Sequence, residues 1–345
     1  MQERPMIVGT GSPYVPVLTE SLRSGLVIDF DVYVRAGESF FLIKPRNMGF
    51  DPRLMSRWKG QESFLYIRIE DRERYFDQMQ ANLSEVIRNP SLTVREKAAV
   101  LTDYAVDVVD KLFTDPGNPQ TITQARNFTQ ECVRYIGLQK HAFLHLIELT
   151  GHDSYTYAHS VGVAAYTIAL ARESGISSVQ ELSDIGLAGF LHDVGKCLVD
   201  PAIINKKGPL NENEWAIMKK HPEYGGDILR RHKNLNPLII LAAESHHENL
   251  VGTGYPKGLV TTRMDPLVRI VTLADAFSAL TTKRSYSESR DALTAFNLMR
   301  ANINRSFDPH LFRKFIMLFL DPNKSSLNSD GMENPEEPLL TKTGT

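Results

Sequence analysis

The 345-residue sequence contains very little cysteine, with only Cys132 and Cys197. Two cysteines supply neither a disulfide framework nor a thiolate metal site, and they fit a reducing compartment. No run approaches the roughly eighteen apolar residues of a membrane span, and residues 1–12 lack a long apolar core. The sequence therefore predicts a cytoplasmic protein without a membrane partner.

The chain also lacks an excess of either charge. It has 39 Lys and Arg residues against 41 Asp and Glu residues, so its net charge is −2. A strongly basic face is therefore not expected, which argues against a nucleic acid polymer as partner. At this length the chain suits two domains, with a core large enough to fold without disulfides.

The hydrophobic pattern changes type along the chain. Alternating residues and a turn at 36–38 predict a β-hairpin over 26–44, and a third strand is predicted over 64–69. A short helix is predicted over 51–58 and a longer, amphipathic helix over 71–87.

From residue 91 onwards the pattern is helical, with the first helices predicted over 93–113 and 121–149. The fold class expected is an α+β N-terminal accessory domain followed by an all-α helical bundle. The predicted boundaries are an accessory domain over 1–90, connecting helices over 91–149, the bundle over 150–321 and a disordered tail over 322–345.

A histidine beside an aspartate, His192-Asp193, ends an apolar helix predicted over 183–196. Imidazole and carboxylate can both bind one divalent cation, and a carboxylate can span two. Residues of the same type recur at spacings of 33, 29, 25 and 28 positions, each about one helix and a connection: His159, His192, His221, the pair His246-His247, and Asp275. Such spacing lets a helical bundle aim ligands from several helices at one interior point.

His159 and Asp275 differ in how strongly each indicates a metal site. A lone histidine on a buried helix, such as His159, is more often a packed and hydrogen-bonded residue than a ligand. Only the presence of the other candidate ligands favours metal binding by His159. Asp275 is informative by itself, because a charged aspartate in so apolar a helix is costly unless it is paired or bound to a cation.

Helix starts are marked clearly in this region. Polar residues that can cap a helix, followed by Glu or Pro, predict starts after Asn211, Asn236, Asp265 and Asp308. Between the second and third of these starts, residues 249–259 contain three glycines and Pro256. A shaped loop next to a pair of ligands commonly forms part of a substrate pocket.

Four short motifs follow one another in this part of the chain: His192-Asp193-Val194-Gly195-Lys196, His221-Pro222, His246-His247-Glu248 and Gly254-Tyr255-Pro256. In this order they resemble the HD-GYP family, a branch of the HD-domain metal-dependent phosphohydrolases. The resemblance covers about residues 150–320. It implies an HD-type helical bundle that hydrolyses the bacterial second messenger cyclic di-GMP, or a related cyclic dinucleotide, to linear pGpG or GMP.

The resemblance also implies site residues. Matched residue by residue, the metal ligands are His159, His192, Asp193, His221, His246, His247 and Asp275. Asp193 would bridge two divalent cations, iron with manganese as the alternative. Lys196 and Arg284 would contact phosphate. From the residues themselves, Gly252 and Gly254 can let the loop approach a guanine closely, with Tyr255 stacking or packing. Two close cations lower the pKa of a shared water, so a bridging hydroxide can attack the phosphodiester near neutral pH.

Several positions depart from the family pattern. Members with three metals carry a glutamate four residues before the first histidine, where this chain has Tyr155, so a binuclear centre is predicted. A phenol is a poor ligand at neutral pH. Other departures, which predict a weaker grip on phosphate, are Val251, Ser278, Ser285 and Ser287.

Two classes of function follow from this pattern. The first is a metal-dependent phosphodiesterase that cleaves cyclic di-GMP. The second is a catalytically weak or inactive sensor or effector that binds a cyclic dinucleotide and acts through signalling protein partners. The filled ligand positions favour the enzyme, because a pocket that only binds has no chemical need for two metals. A phosphohydrolase acting on another nucleotide is a weaker third interpretation.

Overall fold

A small antiparallel sheet is followed by a large helical region in the computed structural model. The structure describes residues 12–19, 21–23, 29–48, 64–139, 141–150, 155–260, 264–282, 290–301, 303 and 305–320. The predicted order of an α+β part and an all-α part is confirmed. The predicted domain boundaries stay predictions, and the helix predicted over 51–58 and the tail over 322–345 lie outside the described residues.

The sheet has the strand order β1-β4-β2-β3 with antiparallel pairs. Its strands are β1 (Tyr14–Leu18), β2 (Val32–Ala36), β3 (Ser39–Lys44) and β4 (Phe64–Arg68). The predicted hairpin is β2 and β3, joined through Gly37 in the left-handed region at φ 62°. Strand β1 was not predicted because Pro16 interrupts it, and proline is tolerated there since β1 lies at an edge of the sheet.

The helical region begins after the last strand. Its helices are α1 (Arg72–Arg88), α2 (Val94–Thr114), α3 (Pro119–Ile136), α4 (Ala142–Thr150), α5 (Tyr155–Glu173), α6 (Val179–Leu191), α7 (Pro201–Ile204), α8 (Glu212–Met218), α9 (His221–Leu229), α10 (Pro237–Ser245), α11 (Pro266–Thr281), α12 (Ala292–Arg300) and α13 (Pro309–Met317). Short 3₁₀ helices lie at Ser21–Arg23, Ile69–Asp71 and Val194–Leu198. No described helix combines the length and the apolar character needed to cross a membrane.

The predicted helix starts are confirmed by their caps. The side chain of Asn211 accepts a hydrogen bond from Glu214 N, and the Glu214 carboxylate in turn accepts one from the backbone N–H of Asn211. Asn236, Asp265 and Asp308 each accept a hydrogen bond from the first turn of α10, α11 and α13. A proline follows each of these three caps, where its missing N–H costs nothing.

Two predicted helices were wrong in extent. The helix over 121–149 is two helices, because α3 ends at Ile136 with Gly137 as its C-cap. The Tyr135 hydroxyl donates to Ala142 O across the turn at 3.0 Å. The helix over 183–196 ends at Leu191, before the His-Asp pair. The chain then takes the tighter 3₁₀ path, in which Gly195 packs directly on the backbone of residues 221–225 with no room for a Cβ.

The core of the bundle is built around α5 and α6, which pack on each other. Helix α6 also contacts α3 and α10, while α5 contacts α4 and α11. These helices bury apolar faces that include Val163, Ile168, Leu187 and Phe277. The ligand candidates therefore lie at the ends and inner faces of helices that a common core holds in place.

The sheet is joined to the bundle through helix α2. Its Asp103 is fully buried and accepts hydrogen bonds from Leu18 N, Ser21 Oγ and the Tyr75 hydroxyl at 2.9, 2.5 and 2.9 Å. The same helix contacts the 3₁₀ turn at Val194–Leu198. One helix thus touches both the sheet and the His-Asp turn.

Candidate metal centre

The seven predicted ligands come from five places in the bundle. His159 lies on α5, His192 and Asp193 follow α6, and His221 is the first residue of α9. The pair His246-His247 follows α10, and Asp275 lies on α11. Of the seven side chains, only the His247 ring is substantially exposed, and the others are largely buried. The structure brings all seven predicted residues together.

Their ligand atoms form two groups. One group is His159, His192 and Asp275, and the other is Asp193, His221, His246 and His247. Within each group the possible ligand atoms lie within 4.8 Å of one another. Imidazole nitrogen and carboxylate oxygen are the donors that Zn²⁺, Fe²⁺ and Mn²⁺ accept in proteins.

Asp193 stands between the two groups. Its Oδ1 lies 3.2 Å from His221 Nε2 and 3.6 Å from His246 Nε2. Its Oδ2 lies 3.2 Å from His192 Nε2 and 3.5 Å from His159 Nε2. Each oxygen of one carboxylate therefore faces a different pair of imidazoles.

Backbone carbonyls fix the orientation of three of the rings. Nδ1 of His192 bonds Gly189 O at 2.7 Å, and Nδ1 of His221 bonds Met218 O at 2.8 Å. His246 Nδ1 lies 3.0 Å from a carbonyl of α10 in the same way. Since a carbonyl can only accept, Nδ1 carries the proton in each bond. The lone pair of the neutral ring is then at Nε2, which points into the centre.

This arrangement fits a cation. Lone pairs of His192 Nε2 and of the Asp193 and Asp275 carboxylates converge, at 3.2 and 3.7 Å from Nε2. His192 Nε2 and Asp193 Oδ1 have no hydrogen-bond partner among the described atoms. Such convergence is repulsive unless a proton or a metal lies between the atoms. The donor set and its unsatisfied atoms therefore suit divalent metal.

In the metal-free protein, a proton on His192 offsets part of this repulsion. Burial by itself would lower the pKa of His192, but the carboxylates of Asp193 and Asp275 raise it to about 10. Burial lowers the pKa of His246 to about 4, and it also lowers the pKa of His247. His192 thus binds a proton readily, whereas His246 and His247 stay neutral.

The two carboxylates respond to the same surroundings. Burial would raise the pKa of Asp193, but His192 and Lys196 hold it well below its usual value. Burial would likewise raise the pKa of Asp275, and hydrogen bonds from His159 and His192 lower it. Both side chains are therefore ionised at neutral pH, which is the form that binds a cation.

Lys196 was predicted to contact phosphate. Its Nζ lies 2.5 Å from Asp193 Oδ2, and its side chain is partly exposed. The ammonium group is thus at the rim of the cluster, beside the carboxylate that separates the two groups. Arg284, the other predicted phosphate contact, lies outside the described residues, as do Ser285 and Ser287.

The loop after α10 is held by a residue of the His-His-Glu motif. Glu248 is buried, and its two oxygens accept hydrogen bonds from Lys257 N at 2.6 Å and Leu259 N at 2.8 Å. Gly254 lies where a Cβ would stand 2.5 Å from His247 O and 2.6 Å from Glu248 Cα. This close approach explains why glycine is needed at position 254.

Tyr255, predicted to contact substrate, lies directly on a ligand candidate. Its ring stacks on His247 with the centroids 4.6 Å apart. Its backbone N–H also donates to His247 O at 3.2 Å. Val251, a departure from the family pattern, is exposed and pairs with Val260 in an isolated bridge of the same loop.

Sequence reasoning missed the roles of two further residues. Ser278, noted only as a departure, is buried with its Oγ 3.1 Å from His159 Nδ1. Its position three residues after Asp275, on the same face of α11, was the available signal. Trp215 lies on α8 with its ring against Tyr255, and its apolar type in an exposed capped helix was the only hint. Tyr155 begins α5, and its side chain is outside the described part.

A family model described as "HD domain" matches residues 139–311, half of the chain. The chain belongs to the HD domain family. The HD-GYP resemblance read from the motifs is confirmed, and so is the fold class with its HD-type bundle. The predicted roles of the individual site residues stay predictions.

Curated relatives include two bacterial proteins. A Pseudomonas aeruginosa protein named a cyclic di-GMP phosphodiesterase is 35% identical over 221 residues, which cover 64% of this chain and 53% of that protein. A Vibrio cholerae protein named 3′3′-cGAMP-specific phosphodiesterase 3 is 32% identical over 270 residues, covering 74% of this chain and 57% of that protein. The chain thus spans little more than half the length of either relative.

A solved structure shares the fold. An HDG"Y"P protein from Bdellovibrio bacteriovorus superposes with a TM-score of 0.65 at 22% identity, covering 88% of this chain and 98% of that one. The similarity includes both the small sheet region and the bundle, since so much of each chain is matched. At this identity it supports the architecture and not the activity.

Proposed function

We propose that the chain is a metal-dependent phosphodiesterase that hydrolyses a cyclic dinucleotide, with cyclic di-GMP as the first candidate, to linear pGpG or GMP. The observation that carries the proposal is the placement of Asp193 between two groups of ligands. Its Oδ1 faces His221 and its Oδ2 faces His192, both at 3.2 Å. A pocket that only binds a nucleotide has no chemical need for this arrangement.

The centre proposed here holds two divalent cations. The residues that would hold them are His159, His192, Asp193, His221, His246, His247 and Asp275. When bound, such cations supply a nucleophile from water near neutral pH and offset charge on the phosphate. Iron is the first candidate and manganese the alternative, because imidazole and carboxylate donors suit both, and neither group of described residues contains a cysteine.

The chain's own residues prepare this centre. Nδ1–H bonds from His192, His221 and His246 to backbone carbonyls lock the rings before any ligand arrives. Ligand atoms fixed by their surroundings need little reorganisation on binding. Lys196 adds a partly exposed point charge beside the centre, where a phosphate oxygen can reach it.

The substrate class is supported by the relatives. One is named for cyclic di-GMP and another for 3′3′-cGAMP, so both names refer to a dinucleotide closed by two phosphodiesters. The two cyclic dinucleotides differ in one base. Cyclic di-GMP and 3′3′-cGAMP should therefore be compared directly. The protein partners and the cytoplasmic location predicted from the sequence stay predictions.

The test starts from protein purified without oxygen. Metal content is measured first, and the protein is then incubated with each cyclic dinucleotide and the products are separated by chromatography. About two metals per chain with linear product support the enzyme. Full metal content with tight nucleotide binding but no product would instead assign the sensor or effector.

Two variants make this test specific. Asp193→Ala should remove metal and activity together, because it removes the carboxylate that both groups share. Asp227→Asn is the matched control, since its carboxylate is exposed on α9 and outside the cluster. Retained hydrolysis in Asp193→Ala would contradict the proposed centre.

A further inference from the structure

Trp215 is a large apolar side chain exposed beside the candidate metal centre. Its accessible fraction is 45%, and helix α8, on which it lies, buries none of its residues. A tryptophan that stays this accessible gives up much of the free energy that burial of its ring would provide. Packing of the core therefore does not explain its position.

A series of aromatic rings connects Trp215 to the centre. The indole meets Tyr255 edge to face, with centroids 6.0 Å apart and planes at 75°. Tyr255 in turn stacks on His247 at 26° between the planes. Since His247 belongs to one of the two ligand groups, flat apolar surfaces run from that group to the exterior.

Helix α8 holds the indole in a fixed relation to the ligands. Its N-terminus has the capping box of Asn211 and Glu214, and Lys206 Nζ contacts Glu214 at 2.5 Å. At its C-terminus the Met218 carbonyl accepts the Nδ1–H bond of His221. Trp215 is about one helical turn from that carbonyl, so the backbone that carries its ring is held close to His221.

Four lysines flank α8, against Glu212 and Glu214 within it, so positive charge is in excess there, which suits an anionic ligand. Two lysines, Lys206 and Lys207, precede the helix, and two more, Lys219 and Lys220, follow it. Lysines attract phosphate, whereas exposed aromatic faces attract the flat surface of a base. A ligand made only of phosphate would use the lysines and leave the aromatic rings without a role.

We infer that Trp215 and Tyr255 form a stacking site for a nucleobase of the substrate. Because their planes meet at 75°, a base stacked on the indole can present its edge to the tyrosine ring. This inference rests on the proposed function, since it takes the phosphodiester to lie at the metal centre. Its consequence is that Trp215 acts on substrate binding and not on the chemical step.

Steady-state kinetics separates these effects. Trp215→Ala should raise the KM for cyclic di-GMP about five- to hundred-fold, with kcat and metal content little changed. Trp215→Phe keeps a flat ring and should restore most of the affinity. An unchanged KM in Trp215→Ala overturns the inference, and so does a loss confined to kcat.

A matched control lies on the same helix. Ile217 is 40% exposed, close to the exposure of Trp215. Two positions along an α-helix correspond to a rotation of about 200°, so Ile217 points away from the side that meets Tyr255. Ile217→Ala should leave KM unchanged, and an equal rise in both variants would show that α8 is only a structural element.

Direct contact is tested by fluorescence. The chain has two tryptophans, so Trp58→Phe leaves Trp215 as the single one. The metal-loaded variant is mixed rapidly with cyclic di-GMP while indole fluorescence and product are both followed. A stacked base quenches the indole, whereas a base bound elsewhere leaves its emission unchanged.

The outcomes of this experiment test the stacking site and the phosphodiesterase activity separately. Quenching with product supports both, and quenching without product supports stacking while contradicting hydrolysis. Product without quenching overturns the stacking site and leaves the phosphodiesterase standing. Neither signal, from protein with its full metal content, overturns both.

Discussion

The phenol ring of Tyr255 covers the imidazole of His247, with centroids 4.6 Å apart and planes inclined by 26°. Burial, with the negative charges of Asp193 and Asp275, raises the pKa of Tyr255, so the hydroxyl keeps its proton at neutral pH. The glycine-rich loop thus places an apolar face and a hydrogen-bond donor next to a candidate ligand.

Removal of this ring should weaken catalysis. We expect Tyr255→Ala to lower kcat/KM about two- to tenfold, the range of an aromatic pair of 0.5–1.5 kcal/mol. Tyr255→Phe keeps the stack, so it separates the ring from the hydroxyl. Kinetics and metal analysis of both variants provide the measurement. Full activity of the alanine variant would show that the stack on His247 has no functional role.

Glu248 should matter for the stability of the loop. Glu248→Gln replaces one acceptor oxygen by an NH₂ group that faces a backbone N–H, either Lys257 N or Leu259 N. We expect the free energy of unfolding to fall by about 1–3 kcal/mol, measured by urea denaturation. Glu212→Gln, at an exposed position of α8, serves as the control. Equal stability of the two variants would argue against the anchoring role.

Gly254→Ala should displace the loop. The new Cβ would collide with the backbone of His247 and Glu248, which cannot move without moving the ligand pair. We expect a folded protein with a raised KM and less bound metal, checked by circular dichroism, kinetics and metal analysis. Gly117→Ala is the matched control, since its nearest neighbour atom would lie at an ordinary 3.8 Å. Normal kinetics in Gly254→Ala would mean that the loop does not support the site.

Metal content should depend on which group is disturbed. His159→Ala and His221→Ala each remove a ligand from one group, so each variant should keep about one metal per chain, whereas Asp193→Ala should keep none. Anaerobic purification followed by elemental analysis measures this directly. Two metals retained in Asp193→Ala would exclude the shared carboxylate, and one metal in the unaltered chain would exclude the binuclear centre.

The metal-free protein should be most stable near pH 6.5. His192 has a folded pKa raised to about 10, so its contribution is complete below 6.5 and is lost as pH rises toward 10. His246 has a folded pKa lowered to about 4, so stability also falls as pH drops from 6.5 toward 4.

Urea denaturation of chelator-treated protein across pH 4 to 10 tests this expectation. In His192→Asn, the loss of stability above pH 6.5 should disappear, whereas much of the loss of stability below pH 6.5 should remain. Stability that keeps rising from pH 6.5 to 9 would contradict the raised pKa of His192.

Much of the site could be predicted because its ligands are local signals repeated at helical spacing. His159, His192 and Asp275 lie far apart in sequence, yet each sits in an apolar helix or at its end, and apolar helices of one bundle share an interior. Helix starts such as that of α11 at Pro266 could also be predicted from neighbouring residues, because a capping side chain and a proline mark them.

What could not be predicted depended on contacts between distant segments. After α6 ends at Leu191, Gly195 packs on the backbone of α9, a contact with a distant segment that the pattern of residues 183–196 does not show. The bond between Ser278 and His159 joins positions 119 apart. Strand β1 was hidden by Pro16, whose tolerance depends on the strand's place at the edge of the sheet.

The buried carboxylate of Asp103 binds three separate points of the N-terminal region, at Leu18, Ser21 and Tyr75. Of these three residues only Leu18 belongs to the sheet, so tilting the sheet against α2 would break its bond to a buried carboxylate. The C-terminal end of β1 is therefore fixed to α2. Because α2 also touches the turn at Val194–Leu198, the sheet region is physically connected, through one helix, to the segment that follows Asp193.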